Sequence, residues 1–153
     1  MKRFLLFGLV ATAFAACSKD KFKTVPQVEI KSFGPEQVTK GQIIRLQARV
    51  TDKEGDLQDS VVFARKVFTL TGLLLSQESD SVRANLKDLG VPTRTDVELQ
   101  LEMIYGESNQ NYPRVNGNNS VDRKFAVGVY IKDKAGNRSQ YVESDTIILK
   151  RIQ

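Results

Sequence analysis

Histidine and tryptophan are absent from this chain of 153 residues, and cysteine occurs once, at position 17. Each absence removes a class of chemistry. Without histidine no side chain has an ordinary pKa near neutrality, so acid-base work would fall to carboxylates, lysines and tyrosines. With a single thiol no intramolecular disulfide can form, and the core must hold by packing. No nucleophile motif is present. Without tryptophan the candidate platforms for sugar are Tyr105, Tyr112 and Tyr130, whose commoner fate is core or rim packing.

Long apolar runs are also missing. After Lys2 and Arg3, residues 4–16 carry no charge, but Lys19 and Asp20 close the segment well short of the roughly 20 residues a spanning helix needs. A basic start followed by a short apolar stretch is the pattern of a secretory signal peptide. Ala15 and Ala16 stand directly before Cys17 and resemble the lipobox of bacterial lipoprotein precursors, with Phe14 departing from the usual leucine. That resemblance implies cleavage of residues 1–16, lipid attachment at Cys17 and palmitate-type acyl chains that hold the protein on a membrane at about 0.8 kcal/mol per buried methylene. Ser18 after the cysteine resembles lipoproteins sent to the outer membrane, on its periplasmic or cell-surface face. Ser18-Lys19-Asp20-Lys21 loosely resembles the surface-export tag of Bacteroidota lipoproteins. Residues 17–26 then form the lipidated terminus and a tether, leaving residues 27–153 as the domain.

Once Lys2 and Arg3 leave with the signal peptide, 21 basic residues face 18 acidic ones. The charges are mixed along the chain, without the clustered basic run and stacking aromatics that nucleic acid requires. The remaining length suits one domain, large enough to bury roughly two-thirds of its unfolded surface.

Period-two alternation dominates that domain. Ile44, Leu46, Ala48 and Val50 oppose Arg45, Gln47 and Arg49, and Val97, Leu99, Leu101 and Met103 oppose Asp96, Glu98, Gln100 and Glu102. Phe125, Val127, Val129 and Ile131 mark a third strand, 138–149 a fourth, and Val28 and Ile30 begin another. In 61–70 the adjacent Arg65 and Lys66 fit neither phase, which suggests a bulge or an edge position. Between 71 and 92 the pattern is poor, with short strands at 73–75 and 81–86 or a helical turn around 86–89. The Asn-rich stretch between Gly106 and Ser120 reads as a crossover loop.

Short strands separated by Gly, Asp and Asn turns predict an all-β, disulfide-free antiparallel β-sandwich of about seven strands. The segments Asp52-Lys53-Glu54-Gly55-Asp56 and Asp133-Lys134-Ala135-Gly136-Asn137 resemble the B-C and F-G turns of immunoglobulin-like modules in secreted bacterial proteins, PKD-like and cadherin-like ones among them, which implies an immunoglobulin-like sandwich. Under that assignment the strands at 42–51 and 96–105 are neighbours, and their solvent faces set Arg45 and Arg49 beside Asp96, Glu98 and Glu102.

The resemblance also brings the two turns to one end. Asp52, Glu54, Asp56, Asp133 and Asn137 are ordinary turn formers first, and no cofactor is expected; the same oxygens are candidate ligands for Ca²⁺ as the alternative. Asp59-Ser60-Val61, Asp80-Ser81-Val82 and Asp145-Thr146-Ile147 resemble Bacteroidota O-glycosylation sites, naming Ser60, Ser81 and Thr146. Arg65 or Lys66, Lys124, Lys132 and Arg138 would make one sheet face mildly basic. The expected role is a non-enzymatic, lipid-anchored cell-envelope module for binding, adhesion or assembly, with the membrane and an envelope protein or glycan as partners and no nucleic acid. A calcium-stabilised cadherin-like structural module is the second reading. A carboxylate-based glycan-active enzyme is the third.

Overall fold

The computed structural model describes residues 23–57, 60–84 and 96–153. Among these the chain forms strands β1 (Gln27–Gly34), β2 (Gln37–Val38), β3 (Ile43–Thr51), β4 (Ser60–Phe68), β5 (Leu74–Ala84), β6 (Asp96–Tyr105), β7 (Arg114–Val115), β8 (Arg123–Lys132), β9 (Val142–Glu143) and β10 (Ile147–Leu149). They build two sheets, ordered β1-β3-β6-β7 and β2-β10-β8-β4-β5, with β9 also pairing β8. This is an immunoglobulin-like β-sandwich without disulfides. The sequence-based count of seven falls short because several of these strands are only two or three residues long. The pairing is also not wholly antiparallel, since β2 joins β10 and β7 joins β6 in parallel.

Alternation decides which face each strand buries. Ile44, Leu46, Ala48 and Val50 of β3 and Phe125, Val127, Val129 and Ile131 of β8 are all buried and meet between the sheets. On the solvent face of β3 and β6, Arg45 lies opposite Glu102 and Arg49 opposite Glu98. The guanidinium groups then select partners, Arg45 binding Glu102 at 2.6 Å and Arg49 binding Asp96 at 2.6 and 2.8 Å. At this exposure such pairs contribute about 0.2 to 1 kcal/mol each, enough to favour this register over a slipped one.

Three sequence-based assignments change. Of the bulge or edge expected in 61–70 the structure has the first and not the second: β4 lies between β8 and β5, with register shifts on its β5 side at Val61/Phe63 and Val67/Phe68. Its alternation is intact, with Val61, Phe63, Arg65 and Val67 opposite inward residues of β8. Arg65 takes an inward position because its side chain reaches the rim between the sheets, donating to the Arg114 carbonyl and pairing with Glu78 at 3.0 Å. Segments 73–75 and 81–86 are not two strands, since Leu74–Ala84 is continuous; the helical turn at 86–89 lies outside the described residues.

The third change concerns 138–149, which is broken into a bridge at Arg138, β9 and β10. At each break a buried serine replaces the missing ladder. Ser139 donates its amide to the Ile131 carbonyl while its hydroxyl accepts the Ile131 amide, and Ser144 does the same with Val127. Both amides of β8 are thereby satisfied, which avoids the cost of about 1 to 3 kcal/mol for a buried unpaired donor.

Candidate cation site and the two ends of the sandwich

The end of the sandwich where β1 begins also carries the β3–β4 loop and the β8–β9 turn, and is here termed the proximal end. The amide of Lys53 donates to the Lys23 carbonyl, tying the incoming chain to this end, and Lys134 donates to the Asp56 carbonyl across the two loops. Each loop folds around its first aspartate. Asp52 Oδ2 accepts the amides of Gly55 and Asp56 at 2.8 and 3.3 Å, with Gly55 at φ +69°. Asp133 accepts the Asn137 amide at 2.7 Å and its side-chain nitrogen at 2.8 Å, with Gly136 at φ +91°. Side chains that bond their own turn explain why Asp and Asn occur here.

Turn chemistry does not account for every oxygen. One carboxylate oxygen from each of Asp52, Asp56 and Asp133 lies within 4.8 Å of the others, and Asp52 and Asp133 are fully buried. Asp52 Oδ1 and Asp56 Oδ1 are buried and find no hydrogen-bond partner among the described residues. Burial pushes the Asp52 carboxyl above the usual carboxylate range; the Asp56 side chain adds to the rise, while the two loop amides pull against it. Such a cluster gains either from a proton shared between carboxylates or from a hard cation, and Ca²⁺ takes oxygen ligands of this kind. Of the five residues expected to converge, Glu54 is exposed and stands apart, because Gly55 turns the chain so that Asp52 and Asp56 face each other. Asn137 is engaged with Asp133.

The opposite, distal end is closed by the chain's last residues. Tyr105, almost fully buried, donates its hydroxyl to the Lys150 carbonyl at 2.6 Å, and burial raises its pKa. Ile152 lies over Gly117, where an added Cβ would meet its side chain at 1.8 Å. Lys150 pairs with Asp122, and this ammonium, helped by the Arg151 amide, holds the Asp122 carboxyl below the usual range. Thr39, Lys40, Leu70, Val121 and Arg151 surround an open depression of about 780 Å³. Beside it the β4–β5 hairpin turns through Thr69 to Gly72, with Gly72 at φ +95° and its amide bonded to the Thr69 carbonyl.

On the outer face of the second sheet the expected basic surface is largely engaged. Lys66 pairs with Glu143 and lies 5.1 Å from the Tyr141 ring centroid; Arg138 stacks 3.7 Å from that of Tyr130. Tyr141 lies over Gly128, where a Cβ would come within 1.7 Å of its hydroxyl. Of the glycosylation candidates, Thr146 is exposed; Ser60 lies in β4 and Ser81 in β5, and their side chains are outside the described residues, as is Cys17. Among the described residues no helix is long and apolar enough to cross a membrane.

No family model and no curated protein matches the chain. Among solved structures it is similar to the sporulation control protein Spo0M of Bacillus subtilis, at 8% identity and a TM-score of 0.44, over 82% of this chain and 49% of that one. It is similar also to the C-terminal domain of wzt, at 19% identity and a TM-score of 0.37, over 82% and 71%. The chain thus spans about half the length of the first. Likenesses this distant assign no function.

Proposed function

We propose that this protein is a non-enzymatic, lipid-anchored immunoglobulin-like module of a bacterial cell envelope, which holds a binding surface away from the membrane that carries it. The observation that supports this most is the polarity of the sandwich. The chain enters the proximal end through Lys23, whereas Leu70, Leu73, Leu74, Leu75 and Val121, five of the seven large apolar residues exposed among the described residues, gather at the distal end. One strand length, about 30 Å for nine residues, separates the two.

Intact-mass spectrometry of the full-length protein recovered from membranes tests the anchor. Acyl chains on Cys17 are expected, and the Cys17→Ala protein should move to the soluble fraction. An unmodified thiol overturns the anchor. A mass increment lost in Thr146→Ala would add glycosylation to the same reading.

A second reading is favoured by the unpartnered oxygens of Asp52 and Asp56: a Ca²⁺ ion bridging the two proximal loops through Asp52, Asp56 and Asp133. The ion would neutralise three crowded carboxylates where the tether enters. Melting curves in calcium and in EDTA decide it, and identical curves reject it.

A further inference from the structure

We infer that the distal end is a docking site for a peptide segment of a partner protein in which aliphatic side chains alternate with carboxylates. This deepens the reading of the chain as a binding module, yet it does not depend on lipid at Cys17. The first observation is apolar. Leu70, Leu73, Leu74 and Leu75 crowd one hairpin at 49, 68, 47 and 47% exposure, and Val121 at 44% lines the depression together with Leu70. Large apolar side chains scattered singly need no explanation; five gathered at one end of a small domain mark a contact surface. The hairpin itself is held firmly. Thr69 receives the Leu73 amide on its hydroxyl and donates its own amide to the Leu73 carbonyl, so the leucines are displayed by a closed turn.

The second observation is charge. The depression joins Leu70 and Val121 to Lys40, Lys150 and Arg151, with Asp122 as its carboxylate. Asp122 is already met by Lys150. Lys40 and Arg151 are exposed on the rim, so the surface presents basic groups around an apolar floor. The complementary ligand carries negative charge beside aliphatic side chains, and its carboxylates would steer association as well as fix register. A depression of about 780 Å³ has room for a few side chains of an extended peptide.

The chemistry of an anionic lipid surface is related, but a concave site at the end remote from the tether suits a peptide better than a flat bilayer. A second copy of this chain is disfavoured for the same site, because two such ends would bring Lys40 and Arg151 of each copy together.

The test is selection from a displayed library of random dodecapeptides on the immobilised full chain, in both wild-type and Cys17→Ala forms. Enriched sequences should pair Asp or Glu with Leu, Ile or Val and bind both forms equally, which separates this inference from the fate of the lipid. A selected peptide should lose about ten-fold or more in affinity on Leu70→Asp and on Arg151→Glu, and should weaken as salt rises. Leu73→Asp, at the most exposed position, guards against misfolding of the Leu70 variant. Basic or purely aromatic enrichment, no enrichment, or binding unchanged in these variants would overturn the inference. So would phosphatidylglycerol vesicles binding the chain in a Leu73-dependent way, or a dimer broken by Leu73→Asp.

Discussion

Asp52 and Asp122 are both aspartates at a rim of the same sandwich, yet burial pushes the first above the usual carboxylate range while Lys150 holds the second below it. The proximal end gathers like charges and leaves oxygens unpartnered; at the distal end Lys150 meets the Asp122 carboxylate and Tyr105 ties the closing segment down. A frustrated end and a satisfied end on one domain imply different tasks. Frustration of this kind is relieved by a ligand, whereas a satisfied end can act as a platform.

The largest effect should come from relieving the proximal end. At about 100 times its dissociation constant, calcium would add about 2.7 kcal/mol, a rise of roughly 8 °C in melting temperature for a domain of this size. Asp52→Asn should abolish that response. In EDTA the same variant should melt no lower than wild type, because it removes one of the crowded charges while keeping a side-chain acceptor for the Gly55 and Asp56 amides. A variant that melts far lower in EDTA would mean that Asp52 is simply a turn cap, and the contrast between the ends would fail.

The matching experiment at the distal end is Tyr105→Phe. It deletes the donor to the Lys150 carbonyl and should cost about 1 to 2 kcal/mol in urea denaturation, with the calcium response unchanged. Loss of the calcium response in that variant would show that the two ends are coupled.

A smaller but sharper distinction lies in pH. Asp52 has a raised folded-state pKa, so the native state binds more protons than the unfolded chain, and stability in EDTA should fall as pH rises above about 4. Saturating calcium should flatten or reverse that slope. Asp122 has a lowered pKa and therefore contributes stability above the ordinary carboxylate value, lost as pH falls toward its folded value. Asp122→Asn should remove part of the acid-side loss and leave the EDTA slope intact. Equal slopes in wild type, Asp52→Asn and Asp122→Asn would show that neither carboxylate is shifted.

Much of this contrast was half legible in the chain. The β3 and β6 alternation followed from period two, while the resemblance to immunoglobulin-like modules set Arg45 and Arg49 beside Asp96, Glu98 and Glu102 and brought Asp52, Asp56 and Asp133 to one end; which charge pairs with which was not legible. Glu54 was misplaced because a left-handed glycine at position 55 sends it outward. The break in 138–149 was hidden because the residues that repair it are serines, which read as ordinary polar positions although their hydroxyls stand in for a strand. β5 gave no clear signal because a terminal strand need not bury one whole face, so Leu73-Leu74-Leu75 read as a short strand of its own, separate from 81–86. The distal end left no trace at all. Tyr105 and Lys150 are 45 residues apart, and nothing local marks their bond or the pairing of Lys150 with Asp122.

The smallest expected change in stability is the most telling about the distal end. Leu73 is 68% exposed, so Leu73→Asp removes little buried apolar surface, and its side chain takes no part in the hydrogen bonds that close the turn. Its folding free energy in urea should stay within about 0.5 kcal/mol of wild type. A core leucine replaced by aspartate would instead cost several kcal/mol through lost burial and a desolvated charge. A large loss would therefore mean that the hairpin tip is covered in the folded protein, and the distal surface would belong to the core. A neutral result leaves Leu73 on the surface without a folding role, and a large apolar side chain that stability does not need there is accounted for by what it touches.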